Sequence, residues 1–266
     1  MSLQNKCLKV EGTMQRITFR KIVKALIPYG ILWFLQRKNK GHTLELCLVD
    51  KNLTNVYGQC GEDLLLRLFC ETSNNYRGFY VDIGAFHPVT FSNTNYFYKN
   101  GWNGINIDAN PYSIEEFNKE RQRDINIESG VSDQYGELEY YYFGKNSTIN
   151  TFDKNHALNM EKIHDTKIKE IKRIKVQPIN AILERYVPKG QYIDFMTIDV
   201  EGYDLKILRS LDFSKYSPGY FLLEDLEATN KGFEVIEKTP LSRFLKEKGY
   251  KAVGATHLTI LFKKEK

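Results

Sequence analysis

The chain has few cysteines, and they are not grouped. Cys7, Cys47, Cys60 and Cys70 form no C-x-x-C pair, and no Cys/His set has zinc spacing. That excludes a zinc ribbon and predicts free thiols in a reducing cytoplasm. Long apolar runs are absent too. The longest, Ala25 to Leu35, has 11 residues and is interrupted by Pro28, too short to span a bilayer. No early apolar run leads to a small-residue cleavage site, so no secretory signal is expected. No internal repeat is evident. The G-x-G-x-x-G fingerprint of dinucleotide folds is missing from the one place where it would fit, around Gly84.

At 266 residues and 42% apolar, the chain has the size of one large globular domain, or of one domain with an arm. Its charge is unevenly distributed. Residues 1–40 hold nine Lys/Arg and a single acid, Glu11, leaving 29 basic and 32 acidic residues in the rest. The body is therefore slightly acidic, which argues against a nucleic-acid-binding surface. Arg16 to Lys40 contains no acid and carries Ile17, Phe19, Ile22, Trp33 and Phe34 among its cations. It reads as one or two helices hinged near Pro28. Such an arm either docks on its own domain or a second subunit, or lies on an anionic membrane surface. We divide the chain at 1–56 for this arm and lead-in and 57–266 for the domain.

The richest stretch is Phe79 to Pro111, FYVDIGAFHPVTFSNTNYFYKNGWNGINIDANP. Phe79 to Ile83 is a short apolar strand. Gly84 and Ala85 end it with small residues, where backbone can approach a ligand closely. Ser92, Asn93 and Thr94 are good caps for a following helix. Gly104 to Ile107 is a second strand, ending at Asp108. An acid there can accept hydrogen bonds from a ribose diol. Two ligands fit this unit, NAD(P) and S-adenosylmethionine. Asp82, two residues before Gly84, would repel a pyrophosphate but attract an ammonium group, so the residues favour the methyl donor.

Downstream, Tyr57 to Cys70 reads as a turn and helix, and Asp124 to Val131 as the third strand, turning at Ser132-Asp133. Glu137 to Phe143 reads as an added aromatic strand, and Gly144 to Glu170 as a loop or lid. Tyr192 to Ile198 is the fourth strand, ending at Asp199, and Tyr220 to Leu223 the fifth, ending at Glu224-Asp225. Glu237 to Lys248 is an amphipathic helix, and two final strands follow. Strands alternating with helices predict an α/β, doubly wound, mostly parallel sheet with its site at the strands' C-terminal ends.

Three blocks, YGQCGEDLLL, VDIGAFHPVTFSNTNYFYKNGWNGINIDANP and IDFMTIDVEGYDLKIL with LLED following, make the chain resemble the FkbM family of S-adenosylmethionine-dependent methyltransferases. The resemblance implies a Rossmann-like class I methyltransferase domain with a seven-stranded sheet. Gln59, Glu62, Asp82, Gly84, Ala85, Asn93, Thr94, Asp108 and Ala109 would line the donor. Val131, Ser132 and Asp133 would approach its adenine, and Asp199 and Glu201 would face the methyl group and the acceptor. Phe86-His87-Pro88 stands where many members have a second glycine, and Thr197 where many have lysine.

The family commonly modifies sugars, glycans or hydroxylated natural products. The expected activity is O-methylation of a sugar, as a nucleotide-activated sugar or a capsule or lipopolysaccharide building block. Rival readings are a methyltransferase of a small hydroxylated metabolite and a non-catalytic glycan-assembly partner. Three groups compete as general base: His87, which titrates near neutrality, Asp199 and Glu201. His87 reads equally as a structural residue fixing the turn before Pro88. Asp199, Glu201, Glu224 and Asp225 are hard oxygen ligands that would suit Mg²⁺. His42, His156, His164 and His257 read as surface residues.

Overall fold

The computed structural model describes residues 55–70, 75–225, 228, 233–257 and 259–265. The arm expected over 1–56 lies almost wholly outside them.

A first helix, α1 (Glu62–Cys70), precedes β1 (Phe79–Ile83), α2 (Asn95–Lys99), β2 (Asn103–Asp108), α3 (Pro111–Glu120) and β3 (Ile125–Glu128). A second set follows: β4 (Gly130–Ser132), β5 (Gly136–Tyr142), α4 (Lys154–Ile163), β6 (Glu170–Pro178) and α5 (Ile179–Tyr186). The chain then forms β7 (Phe195–Ile198), α6 (Asp204–Ser210), β8 (Tyr220–Glu224), α7 (Phe233–Ile236), α8 (Pro240–Glu247), β9 (Tyr250–Ala255) and β10 (Thr259–Lys264). Seven strands form one sheet in the order β3-β2-β1-β7-β8-β10-β9. The first five run parallel, and β10 is antiparallel to both its neighbours. Strand order reverses beside β1: β2 lies on one side, and β7, reached much later in the chain, on the other. That reversal opens a crevice at the carboxyl ends of the strands.

β1 is buried along its whole length, as a central parallel strand covered on both faces must be. Its alternation divides two cores. Phe79, Val81 and Ile83 pack with Ile182, Ile207 and Leu245 from α5, α6 and α8. Tyr80 points the other way, to Leu66 of α1, Phe97 of α2, Trp102 and Phe195. Asp82 shares Tyr80's parity on the strand and is buried, so a carboxylate is built into the sheet.

Three expectations are corrected. The stretch 124–131 is two strands. β3 ends at Glu128, Ser129 donates its N–H to the Asp108 carbonyl at 3.0 Å, and β4 joins a separate three-stranded sheet in the order β4-β6-β5. Gly130 makes the transfer feasible, since a Cβ there would meet Phe152 and Val176 at 2.7 Å. Glu137 to Phe143 accordingly extends this small sheet. The 144–170 segment is not all loop: it holds α4, capped by Asp153, whose carboxylate accepts the His156 N–H at 2.8 Å. Only Ala157 of that helix is buried, so its apolar stripe was too narrow to read as periodicity.

Candidate functional site

The crevice holds a pocket lined by apolar and polar groups, open on one side to solvent. The β1 turn lines it with Gly84 and Phe86, the β2 end with Asp108, Ala109 and Asn110, and the β7 end with Asp199, Val200 and Glu201. Ser129, Gly130 and Val131 come from the strand switch. Tyr140 and the run Ser147, Thr148, Asn150, Thr151 and Phe152 close the far side.

The β1 turn is tight. Gly84 has φ +80, and a Cβ there would lie 1.8 Å from the Asp199 carbonyl oxygen. Any side chain would push β1 and β7 apart. The Gly84 and Ala85 N–H groups both donate to the Ile107 carbonyl, at 2.9 and 3.1 Å. Asp108 closes the turn from β2: Oδ2 accepts the Phe86 N–H at 2.8 Å and Oδ1 the Asn110 N–H at 2.7 Å. Burial raises its pKa to about 6 against the pull of those two donors. Each carboxylate oxygen keeps a further lone pair, a pattern suited to two adjacent hydroxyls.

Asp82 is buried deeper. Its Oδ2 accepts the Thr94 hydroxyl at 3.0 Å, and burial raises its pKa to about 7. Thr94 is the cap position of α2, but its hydroxyl is committed to Asp82; Ser92 Oγ instead accepts the first free N–H, of Asn95, at 3.1 Å. Beneath them Arg121, 1% exposed, donates to the Pro88 carbonyl at 3.0 Å, Ser92 Oγ at 2.9 Å and the Tyr80 hydroxyl at 3.2 Å. Asp124 lies 3.5 Å from the guanidinium and neutralises it.

The β7 end differs. Asp199 is open to the pocket yet crowded by protein on its other sides. Burial and then the neighbouring Glu224 and Glu201 drive its pKa well above the carboxylate range. Burial, with Glu201, Asp204 and Asp225, raises Glu224 to about 9. Glu201 has φ +53, a left-handed conformation unusual for a residue with a Cβ. Thr151 holds it there by donating its hydroxyl to the Glu201 carbonyl at 2.8 Å. Glu201 Oε2 also lies 2.9 Å from His156 Nε2; the contact lacks the alignment of a straight hydrogen bond, and we count it as an ion pair. This contact raises the His156 pKa.

Of the residues expected to bind the donor, Gly84, Asp108, Ala109 and Val131 line the pocket, as do Asp199 and Glu201, expected to face the methyl group. The others do not. Gln59 is exposed, and Glu62 is buried, accepting the Thr256 hydroxyl at 2.8 Å and the Cys60 N–H at 2.7 Å. Asp82, Ala85, Asn93 and Thr94 lie outside the lining, Asn93 donating to the Thr197 hydroxyl at 3.3 Å. Ser132 and Asp133 bond to each other at 2.9 Å, and Asp133 pairs with Lys206 at 3.3 Å; neither lines the pocket, whereas Ser129 and Gly130 do. His87 is also outside the lining: its Nδ1 accepts the Val89 and Thr90 N–H groups, and burial lowers its pKa.

The Mg²⁺ expectation is not supported. Among the described residues no three His, Cys, Asp or Glu side chains are placed to hold a metal, and Glu224 and Asp225 lie outside the lining. His156, read from sequence as a surface residue, is carried by α4 onto Glu201. The polar wall from Ser147 to Thr151 was also missed. Its one sequence signal was the length of the segment containing it.

A parallel sheet of this order, finished by an antiparallel pair and carrying a glycine turn after β1 and an acid at the end of β2, defines a Rossmann-like methyltransferase fold. The chain belongs to the FkbM methyltransferase family: the family model, Methyltransferase FkbM domain, matches residues 82–252. Among solved structures it is similar to a methyltransferase FkbM from Methylobacillus flagellatus KT, at 14% identity and a TM-score of 0.40. The match covers 76% of this chain and 52% of that one, so the chain spans about half of that protein's length. No curated protein matches it. Among the described residues no helix is long and apolar enough to cross a membrane.

Proposed function

We propose that the chain is an S-adenosylmethionine-dependent O-methyltransferase acting on a hydroxyl of a sugar or glycan precursor. The observation that carries the donor assignment is Asp108, facing the pocket with one backbone N–H on each oxygen. In this reading Asp108 holds the ribose diol, and Gly84 and Phe86 flank the donor's tail. S-adenosylmethionine, when bound, supplies an activated methyl group next to a positive charge.

The chain's own part is to align the hydroxyl and take its proton. Alignment supplies much of the rate in such reactions. Asp199 and Glu201 are the pocket's acids on the reactive side. Burial, and then Glu224 and Glu201, push the Asp199 pKa upward; a cation beside it would lower that pKa and favour the carboxylate form that a base needs. Tyr140, Phe152, Thr148 and Asn150 give the opposite wall aromatic faces and polar groups, the mixture that suits a sugar ring.

The test is calorimetry with S-adenosylhomocysteine, followed by a methyl-transfer screen over nucleotide-activated sugars with mass detection. Micromolar-range binding and a product heavier by one methyl group are expected. No binding would sink the donor assignment. Binding with transfer only to non-sugar hydroxyls would sink the sugar.

A further inference from the structure

The eleven residues from Gly84 to Thr94 connect β1 to α2 without regular structure, and side chains do most of the work of fixing them. Two of them, Phe86 and Phe91, have φ of 55 and 56, conformations that a Cβ disfavours. Their rings stack on each other at 6.2 Å. Phe86 reaches the pocket, and its N–H is one of the two groups that orient Asp108. The rest of the loop is pinned from two sides. Arg121 takes the Pro88 carbonyl and Ser92 from below. His87 takes the loop's own amides: its Nδ1 accepts the Val89 N–H at 3.1 Å and the Thr90 N–H at 3.0 Å.

We propose that His87 is a positioning residue of the donor site: its neutral imidazole caps two amides of the loop and so holds Phe86 against Asp108. The role rests on reading the pocket as a donor site, and it removes His87 from the candidate bases. Accepting two N–H groups uses the Nδ1 lone pair and leaves the proton on Nε2. Protonation of Nδ1 would turn that acceptor into a donor facing two other donors. Burial lowers the imidazole's pKa below the usual histidine value; Glu116 and Glu120 pull toward the charged form, and Arg121 favours the neutral one. The cap is therefore intact at neutral pH and is lost only in acid.

Asparagine separates this role from that of a base. Its side-chain oxygen can accept N–H groups two and three residues ahead, but it does not titrate. The experiment measures S-adenosylhomocysteine affinity by calorimetry for wild type, His87→Ala and His87→Asn, at about pH 8 and about pH 4.5, with melting temperatures as a folding check. Alanine is expected to weaken binding about tenfold at the higher pH, and asparagine to restore it to within about threefold. Wild type is expected to lose about fivefold more affinity in acid than His87→Asn, the difference being His87's share beside Asp82 and Asp108, which titrate in both proteins. Wild-type affinity in His87→Ala would overturn the proposal. So would a parallel acid loss in wild type and His87→Asn, which remains readable if the alanine variant does not fold. Absence of binding by wild type at both pH values is a different failure, that of the donor site itself.

Discussion

The two halves of the crevice handle buried carboxylates in opposite ways. At the ends of β1 and β2 the acids have donors: Asp82 has the Thr94 hydroxyl, Asp108 has two backbone N–H groups, and Arg121 lies behind them. At the ends of β7 and β8, Asp199 and Glu224 chiefly face other acids, and Glu201 alone among the three is paired, with His156. Burial raises pKa values in both halves. In the first, hydrogen bonds offset it and the values stay at about 6 and 7; in the second, like charges add to it and Glu224 reaches about 9. In the proposed reading, the first half binds through geometry. The other crowds like charges, a repulsion that a cation or a proton would relieve.

The sharpest way to test that division is turnover. Asp199→Asn and Glu201→Gln are expected to lower kcat by about 10²–10⁴-fold while leaving S-adenosylhomocysteine affinity within a few fold. Full activity in both would break the assignment of the second half to chemistry. The first half breaks differently. Arg121→Met leaves Asp124 buried without its cation and should destabilise the fold by about 3–5 kcal/mol, measured by urea unfolding. A change under about 1 kcal/mol would show that the buried network is not what holds this half.

Asp108→Ala should be milder, removing one charge-assisted contact to a ligand. That corresponds to about 1.5–3 kcal/mol, or roughly 10- to 150-fold in donor affinity. Unchanged binding would remove Asp108 from the donor site. The smallest effect concerns Glu224, whose folded pKa of about 9 lies above its ordinary 4.5. Between those values the folded state binds more protons than the unfolded one, so this group's contribution to stability falls as pH rises. Glu224→Gln should therefore raise the melting temperature at neutral pH by a few degrees and flatten its decline from about pH 5 to 9. A lower melting temperature in the variant would mean that the glutamate's contacts outweigh the repulsion.

Much of the first half was legible in the sequence because its signals are local. The apolar run 79–83, the glycine after it and Asp108 at the next strand end lie within 30 residues, and strand alternation alone places Asp82 apart from Phe79, Val81 and Ile83. The capping signal left three candidates, and the structure selects one. Ser92, Asn93 and Thr94 do precede α2, but Ser92 makes the cap because Thr94 is taken by Asp82. Glu62 illustrates the limit of a motif, since its carboxylate is used by Cys60 and by Thr256, 194 residues away.

By itself the sequence determined the alternation of strands and helices, the tight turn at Gly84 and the acids at the strand ends. Those follow from side-chain size, periodicity and backbone freedom over short stretches. Only the tertiary structure decided which acids share a pocket and what stands opposite them. The strand switch at Ser129-Gly130 builds the second sheet, and that sheet carries Tyr140 and the 147–152 wall to the crevice. α4 brings His156 to Glu201, and the loop fold turns His87 inward to its own amides. Each of these depends on contacts between distant residues, or on a ring's orientation, and neither leaves a mark in composition or spacing.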